Sequence, residues 1–367
     1  MKKVLIVGLP FFPHKYQYLV DSYKKSGIEP KVLLNSSQED FNGEVNGTFY
    51  FSGRGRWGRF LSYFRALKDF KPKNIDCYDY SIFTIFYIIT ARALGINVRY
   101  WLIGWELVGD NQNTNATSKV TRFLTYAKMR LSRLSLNFAN HIYAKEHHHL
   151  ESIRAINPHL LTKVISIYNC VPVGEFVGGF NRAGDFLYAN AVIEKRNVIE
   201  LIDSFNELKN KGASFSASIY GFNSISNDVY APRGVHYSDK ALNHFKNLDL
   251  DESVRTYGFV NNIKDVMKEF KFFVLPADIV LANYALLEAM SFGLVPIVYP
   301  GDGYEVLIDD GISGIVAKDY NLTKALECAL KMPEDKYLEM SEAAYNKIKK
   351  DFSLALWERK ISQNIVG

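Results

Sequence analysis

Two series of short apolar segments, separated by amphipathic stretches, constrain the fold of this chain more than any other feature. The first series lies at residues 3–7, 31–34, 47–51, 80–90, 98–103 and 141–144. The second lies at residues 185–189, 216–221, 254–260, 272–276 and 295–298. Strand-type segments that alternate with helical patterns are typical of parallel sheets with helices on both faces. The pattern therefore predicts an α/β fold with two doubly wound, Rossmann-like domains.

Length and composition agree with two soluble domains. The chain has 367 residues, of which 48% are hydrophobic and 23% are charged. No apolar run reaches the roughly 18 residues of a membrane-spanning helix. Residues 171–183 carry glycines and a proline, and we place the domain boundary there. Cys77, Cys170 and Cys328 are widely spaced, which indicates reduced thiols in a cytoplasmic protein.

Residues 282–305 combine a short helix, a buried strand and a glycine turn around one isolated carboxylate, that of Glu288. Asn283 is a suitable N-cap, and Gly293 is a suitable helix stop. The start of the helix would offer free N–H groups and a positive dipole end to a phosphate. The turn at residues 301–303, Gly-Asp-Gly, would let backbone amides approach a ligand. The segment therefore predicts a nucleotide site.

Several motifs follow one another in order within the second half of the chain. They lie at residues 164–176, 186–205, 257–270, 272–277, 288–296 and 301–314. In order and spacing they resemble the retaining family-four glycosyltransferases of the GT-B fold. The resemblance covers residues 164–316. It implies two Rossmann-like domains facing a central cleft, with an acceptor-binding domain at 1–170 and a nucleotide-sugar-binding domain at 171–350. It also implies a C-terminal helix, within 351–367, that crosses back to the first domain.

The resemblance assigns roles to residues of the donor side. Transfer from a nucleotide sugar leaves a diphosphate, whose growing charge must be stabilised. Lys195 and Arg196 lie where the family carries a basic residue for this purpose, and either could replace a metal ion; the alternative is a plain surface helix start. Glu288 matches the glutamate that accepts hydrogen bonds from the donor ribose, as carboxylates do in dinucleotide sites. The full set of donor-binding candidates is Gly8, Lys195, Arg196, Gly258, Phe259, Val260, Asn283, Tyr284 and Glu288.

Three positions depart from the family pattern. Val280 stands where a second glutamate normally touches hydroxyls of the donor sugar, and Asn283 replaces a glycine. An arginine expected before the basic loop is replaced by Asn190 or Ala191. These departures leave three alternatives: an unusual sugar (deoxygenated, acetamido or furanose), a divergent branch whose stereochemistry does not carry over, or lost activity.

The first domain offers candidates for acceptor chemistry. Glu106 and Asp110 follow a buried strand at its C-terminal end, where a carboxylate could orient or deprotonate a hydroxyl. The segment around them resembles, over a few residues, an element of the bacterial enzymes that transfer 4-acetamido-4,6-dideoxygalactose to lipid-linked intermediates. A helix-capping or exposed carboxylate is the alternative. The opening strand leads into a glycine turn at Gly8, and His14, which follows that turn, is a third catalytic candidate.

Three adjacent histidines at residues 147–149 project in different directions from a helix, so we predict no metal site there. We expect no cofactor other than the nucleotide-sugar substrate.

Basic residues and aromatic residues are interleaved in two stretches of the first domain, 54–68 and 119–133. Trp57, Phe60, Phe64 and Leu67 would form one helical stripe beside arginines. No acidic residue occurs between Asp110 and Glu146. Such helices can lie on anionic lipid, although a solvated face over a core stripe explains each of them equally well. Nucleic acid is not an expected partner, because the net charge is only +5 and no binding module is recognisable.

Together these observations predict a metal-independent glycosyltransferase. It would move a sugar from a nucleotide-sugar donor, with UDP as the expected nucleotide, to a hydroxyl of a glycan or lipid-linked acceptor. The pathway would be bacterial cell-surface polysaccharide or glycolipid biosynthesis. The enzyme would be cytoplasmic or peripheral on the inner face of the plasma membrane. Two alternatives remain open: a GT-B sugar-nucleotide epimerase, and an inactive nucleotide-sugar-binding protein.

Overall fold

The computed structural model describes residues 2–8, 13–34, 49–51, 55–78, 83–102, 107, 119–222, 235–250 and 252–366. The chain forms two compact units. The first comprises Met1–Tyr168 with Lys360–Gly367, and the second comprises Asn169–Arg359. Each unit contains one parallel sheet with flanking helices, which confirms the predicted α/β class with two doubly wound domains.

The first unit contains a seven-stranded parallel sheet in the order β3-β2-β1-β4-β5-β6-β7. Its strands are β1 Lys2–Val7, β2 Ile28–Leu34, β3 Phe49–Phe51, β4 Asn74–Cys77, β5 Asn97–Trp101, β6 His141–Ala144 and β7 Val164–Ser166. Its helices are α1 Pro13–Lys25, α2 Gly55–Phe70, α3 Phe83–Ala93, α4 Lys119–Phe138 and α5 His147–Ile156. The end of a later helix, α13 Leu354–Val366, also belongs to this unit.

The strand order places the helices of this unit on defined faces. From β3 through β7 every connection runs in one direction across the sheet, whereas β1 to β2 runs in the other. Because crossovers between parallel strands are right-handed, α2 to α5 lie on one face and α1 on the opposite face. One buried apolar cluster joins the first of these faces to α2, α3 and α4, through side chains such as Tyr63, Tyr87 and Leu136.

One predicted strand of the first unit is wrong. Residues 83–90 of the predicted strand region 80–90 belong to helix α3, Phe83–Ala93, and the strand that precedes this helix is the short β4. The buried residues of α3 are Thr84, Tyr87, Ile88 and Ala91, which have helical spacing. Strand β4 escaped prediction because it is only four residues long and contains Asp76. That carboxylate is buried and bonded to Arg99, its register partner on β5.

The second unit contains a six-stranded parallel sheet in the order β10-β9-β8-β11-β12-β13. Its strands are β8 Gly184–Ala189, β9 Ala217–Tyr220, β10 Val254–Tyr257, β11 Phe270–Leu275, β12 Val295–Val298 and β13 Ile315–Val316. Its helices are α6 Val198–Asn210, α7 Val235–Lys246, α8 Ile263–Met267, α9 Tyr284–Met290, α10 Tyr304–Leu307, α11 Leu322–Leu330, α12 Glu334–Asp351 and the start of α13. The connection from β8 to β9 runs one way across the sheet, whereas the connection from β11 to β12 runs the other way. The direction of winding therefore reverses between β8 and β11.

Candidate functional site

The reversal between β8 and β11 defines where a ligand would bind the second unit. Helices that leave adjacent strands in opposite directions open a crevice at the carboxyl ends of those strands. The segment after β8 contains a single 3-10 turn, Glu194–Arg196, before α6. The segment after β11 ends at Asn283, which begins α9. Both predicted donor segments thus lie at the switch point of this sheet.

The two segments are tied together at both ends. Asn190 Nδ2 donates to Asn283 Oδ1 at 3.1 Å. Asn197 Nδ2 donates to Asp278 Oδ1 at 2.6 Å, and the backbone N–H of Asp278 donates to the carbonyl of Lys195 at 3.3 Å. Asn197 adopts a left-handed conformation with φ of 49°, which asparagine tolerates better than most residues. These bonds fix the position of the basic loop, residues 190–197, against the chain that follows β11.

Arg196 has an unsatisfied donor in this loop. The residue as a whole is half-buried, but its Nη1 atom has no exposed surface and makes no hydrogen bond within the described part of the chain. Burial lowers the pKa of Arg196, and the nearby Tyr188 raises it in part. Arginine nevertheless stays protonated in proteins. A buried N–H without an acceptor costs about 1–3 kcal/mol, and Nη2 of Arg99 and Nε of Arg182 are unpaired in the same way among the described residues.

Asn283 is the N-cap of α9, as predicted. Its Oδ1 accepts from the N–H groups of Ala285 at 3.0 Å and Leu286 at 3.3 Å. The N–H of Leu287 donates to the carbonyl of Asn283 at 2.9 Å. These three amides are therefore engaged within the protein, and the predicted array of free N–H groups at the start of α9 is wrong.

Glu288 lies on α9 with a side chain that is 20% exposed. Its Oε1 is 3.4 Å from Nζ of Lys264, which belongs to α8. The carboxylate is therefore half of an ion pair, although the sequence predicts an isolated acid. No spacing rule links Lys264 to Glu288, because the two residues belong to different helices and meet only through tertiary packing.

The segment between β10 and α8 carries three more of the predicted donor-binding residues, Gly258, Phe259 and Val260. Gly258 is buried, and its carbonyl accepts from the N–H of Gly221 at 3.3 Å. Phe259 is 51% exposed, and Val260 is half-buried. The ring of Phe259 is thus exposed just after the carboxyl end of β10.

The Gly301–Gly303 turn serves the protein's own backbone. The carbonyl of Asp302 accepts from the N–H groups of Val280 and Leu281, each at 3.0 Å, and its own N–H donates to Asp278 at 2.9 Å. A Cβ atom on Gly301 would lie 2.3 Å from the carbonyl oxygen of Ala277. The glycines are needed because two chain segments approach closely, so the predicted offer of the Asp302 amide to a ligand is wrong.

Val280 and its neighbour show what replaces the expected glutamate. Val280 is only 1% exposed, so it packs inside the protein. Leu281 has a left-handed φ of 44°, a conformation that bulky residues adopt at a cost. The exposed carboxylate on this segment is that of Asp278, which binds Asn197. The segment therefore presents no polar group at position 280.

The remaining candidates belong to the first unit. Gly8 is buried at the carboxyl end of β1, with φ of 81°, and β1 and β4 form the switch point of that sheet. His14 lies on α1, but its side chain falls outside the described residues, as do Glu106 and Asp110.

His149 is buried, and its Nδ1 accepts from the N–H groups of Lys145 and Glu146, both at 3.3 Å. Among the residues that the structure describes, no three His, Cys, Asp or Glu side chains are placed to hold a metal ion. The described part of the chain also contains no helix that is long and apolar enough to cross a membrane. None of the three cysteines, Cys77, Cys170 and Cys328, forms a disulfide within the described residues.

Residues 179–347 match the model of a protein family described as Glycosyl transferases group 1. No curated protein sequence matches the chain significantly. Solved structures that share its fold include sucrose-phosphate synthase from Thermosynechococcus elongatus, with 11% identity, a TM-score of 0.80, and coverage of 100% of this chain and 98% of that one. HepE from Anabaena in complex with UDP-glucose has 12% identity, a TM-score of 0.73 and full coverage of both chains. The lipopolysaccharide outer core galactosyltransferase WaaB has 15% identity, a TM-score of 0.66, and coverage of 100% and 99%.

Proposed function

From the premise that the chain has the GT-B fold and that its group 1 domain supports a glycosyltransferase, we propose that it transfers a sugar from a nucleotide-sugar donor to a hydroxyl acceptor. The donor is held by the second unit, and UDP is its expected nucleotide. The observation that carries this proposal is Arg196, a cation with a buried, unsatisfied Nη1 at the switch point of the second sheet. HepE, which shares the fold, is described in complex with UDP-glucose.

The chemistry follows from the charge on the leaving group. Cleavage of the bond between the anomeric carbon and the phosphate oxygen leaves that oxygen with both bonding electrons. Arg196 Nη1 and the ammonium of Lys195 donate to the diphosphate and stabilise this charge as it grows. Lys195 and Arg196 belong to one loop that hydrogen bonds hold in place. Their two positive charges can supply the charge that a divalent metal supplies in other transferases. We therefore propose a metal-independent reaction without a further cofactor.

Glu288 and the segment after β10, residues 258–260, hold the nucleoside. The Glu288 carboxylate accepts hydrogen bonds from the ribose hydroxyls, a role that suits a fixed acceptor of two donors. Lys264, 3.4 Å away, orients the carboxylate. The exposed ring of Phe259, with Gly258 and Val260, offers a surface to the base. Asn283 and Tyr284 complete the donor side at the start of α9.

The donor sugar lacks the contact that the family pattern provides through a glutamate at position 280. Because Val280 is buried and apolar, it cannot bind a sugar hydroxyl. This favours a sugar that lacks a hydroxyl at that place or carries an acetamido group or a furanose ring. The acceptor is a hydroxyl of a glycan or lipid-linked intermediate of bacterial cell-surface polysaccharide or glycolipid synthesis. It is oriented from the first unit by candidates that include Glu106, Asp110 and His14, in an enzyme that works in the cytoplasm or on the inner membrane face.

Ligand-induced stabilisation followed by product detection tests the proposal. UDP and UDP-sugars should raise the Tm more than the matching nucleotides of other bases, and slow release of UDP from a donor should accompany binding. Conversion of the donor to an isomer without UDP release would identify an epimerase instead. Stabilisation by a nucleotide without any turnover would identify a binding protein. Valine in place of glutamate at position 280 favours that alternative. No stabilisation by any nucleotide would contradict the proposal.

A further inference from the structure

The first unit exposes apolar side chains on three helices. On α2 they are Trp57, Leu61 and Phe64, with exposed fractions of 78%, 62% and 38%. On α3 and α4 and in the turn after α3 they are Ile89, Leu94, Phe123, Leu124, Tyr126, Leu134 and Phe138, each at least 39% exposed. We call these ten residues the apolar surface. Soluble proteins rarely expose so many large apolar groups together, and such patches mark interaction sites.

The outward stripe of α2 differs from the stripe that its sequence suggests. The predicted stripe of Trp57, Phe60, Phe64 and Leu67 is wrong in phase, because Leu67 is only 7% exposed and faces the core. The exposed stripe is Trp57, Leu61, Phe64 and Lys68. An apolar stripe that points outward is not accounted for by the core of this unit.

The three helices form a continuous face. They lie on the same side of the first sheet, α3 packs against α4, and Phe60 of α2 stacks on Phe86 of α3 with centroids 4.6 Å apart. No described side chain of α4 between residues 123 and 131 is buried. Residues 123–131 of α4 therefore lie at the surface, and Phe123 is the most exposed of their large apolar side chains, at 69%. The apolar residues of neighbouring helices are thus displayed together.

The three helices that carry this face are strongly basic. Helices α2, α3 and α4 carry ten lysines and arginines against a single acidic residue, Asp69. Arg65, Lys68 and Arg130 are exposed, and Arg130 Nε donates to the Tyr126 hydroxyl at 2.7 Å. By contrast, the surface helix α12 carries five acidic and four basic residues. The positive charge is therefore local to this face and not a property of every helix.

We propose that this face docks on an anionic lipid bilayer. Exposed Trp, Phe and Leu side chains enter the boundary between headgroups and acyl chains, while lysines and arginines meet the negative headgroups. A second copy of the chain is disfavoured, because it would bring two strongly basic faces together. Nucleic acid would match the charge but leave Trp57, Leu61 and Phe123 exposed. The inference is independent of catalysis, and it names a partner for the proposed enzyme.

Sedimentation of the full chain with lipid vesicles tests the proposal. The vesicles contain phosphatidylcholine alone or with an equal share of phosphatidylglycerol. We expect binding only to the anionic vesicles. A charge variant, Arg65→Gln with Lys68→Gln and Arg130→Gln, should lose about fivefold in partition coefficient for each charge. An apolar variant, Trp57→Ser with Leu61→Ser and Phe123→Ser, should lose about tenfold or more.

Matched controls separate the surface from net charge and composition. Lys331, Lys349 and Lys350 are exposed basic residues of the second unit, and their replacement by Gln should leave binding unchanged. Ile312, 63% exposed, is the matched apolar control. All altered side chains are exposed, so the variants should keep the wild-type Tm.

Several results would overturn the proposal. One is failure of the wild type to bind anionic vesicles. Another is full binding by the apolar variant, which would show a simple anion site. A third is a dimer in sedimentation velocity that the apolar variant dissociates, because the surface would then join two copies. Loss of vesicle binding with unchanged UDP binding would support the docking surface and leave the proposed donor site untouched.

Discussion

Replacing Arg196 with methionine should weaken UDP binding without lowering the stability of the fold. In the free protein, Arg196 carries a buried Nη1 without an acceptor within the described residues. Methionine of similar length fills the same space and has no donor to satisfy. We therefore expect Arg196→Met to leave the free energy of unfolding unchanged or to raise it. The proposed diphosphate site, in contrast, loses its principal donor.

The expected sizes follow from the hydrogen bonds concerned. An unsatisfied buried donor costs about 1–3 kcal/mol, so its removal could stabilise the free protein by up to about 2 kcal/mol. For a domain of this size about 1 kcal/mol shifts the Tm by roughly 2–4 °C. A charge-assisted hydrogen bond to phosphate contributes about 1.5–3 kcal/mol, which raises the Kd for UDP by about 10- to 150-fold.

Arg182 provides the matched control. Its Nη1 donates to the carbonyl of Phe270 at 2.6 Å, and its Nη2 donates to the carbonyl of Val177, although its Nε, like Nη1 of Arg196, has no acceptor within the described residues. Arg182→Met should therefore lower the free energy of unfolding by about 2–4 kcal/mol, since it leaves these carbonyls unpaired. The Kd for UDP of the folded protein should not change. The two variants thus predict opposite pairs of results.

Calorimetric titration with UDP and urea unfolding measure the two quantities on the same samples. The reasoning is refuted if Arg196→Met unfolds more readily by more than about 2 kcal/mol while its UDP affinity equals that of the wild type. That outcome would make Arg196 a structural residue like Arg182.

Three further predictions concern single residues. Glu288→Gln should raise the Kd for UDP by about 5- to 30-fold but not the Kd for its dideoxyribose analogue; equal losses for both ligands would remove the ribose contact. Asn197→Gly should be about 1 kcal/mol more stable than Asn197→Ala in urea, because φ is 49° there, and equal stabilities would contradict this. Partial burial, with Arg99 and Lys163, lowers the pKa of His141 in the folded state. The folded state thus binds fewer protons, and stability is full above the unfolded pKa of about 6.5 and falls as pH drops below it. His141→Asn should flatten this dependence in pH-resolved urea unfolding, and an unchanged slope would refute it.

The sequence predicts the parts of the fold that rest on local pattern. Strands such as β1 and β8 are continuous apolar runs, and Asn283 is an N-cap that its side chain alone can recognise. The sequence predicts a strand at α3 because Ile, Phe, Tyr and Thr residues favour strands, whereas the buried positions follow a helical period. Tertiary packing overrode propensity there.

The site is less predictable than the fold, because its features arise from contacts between distant segments. The hydrogen bond between Asn197 and Asp278 joins residues 81 positions apart. The pairing of Glu288 with Lys264 is also a tertiary contact. Glycine at position 301 suggests close approach, but only the structure shows that the partner is the carbonyl of Ala277. The sequence could name the residue types of the site, but not which donors remain unsatisfied.

Hydrogen exchange of the protein with and without UDP tests the central claim most directly, because it locates the ligand without any substitution. Peptides covering residues 190–197 and 278–288 should gain protection, since both border the switch point between β8 and β11. A competing location is the groove of about 470 Å³ between α6 and α7, lined by residues such as His236, Asp239 and Asn243. Protection confined to residues 236–247, or none at residues 190–197, would contradict a nucleotide site built around Arg196.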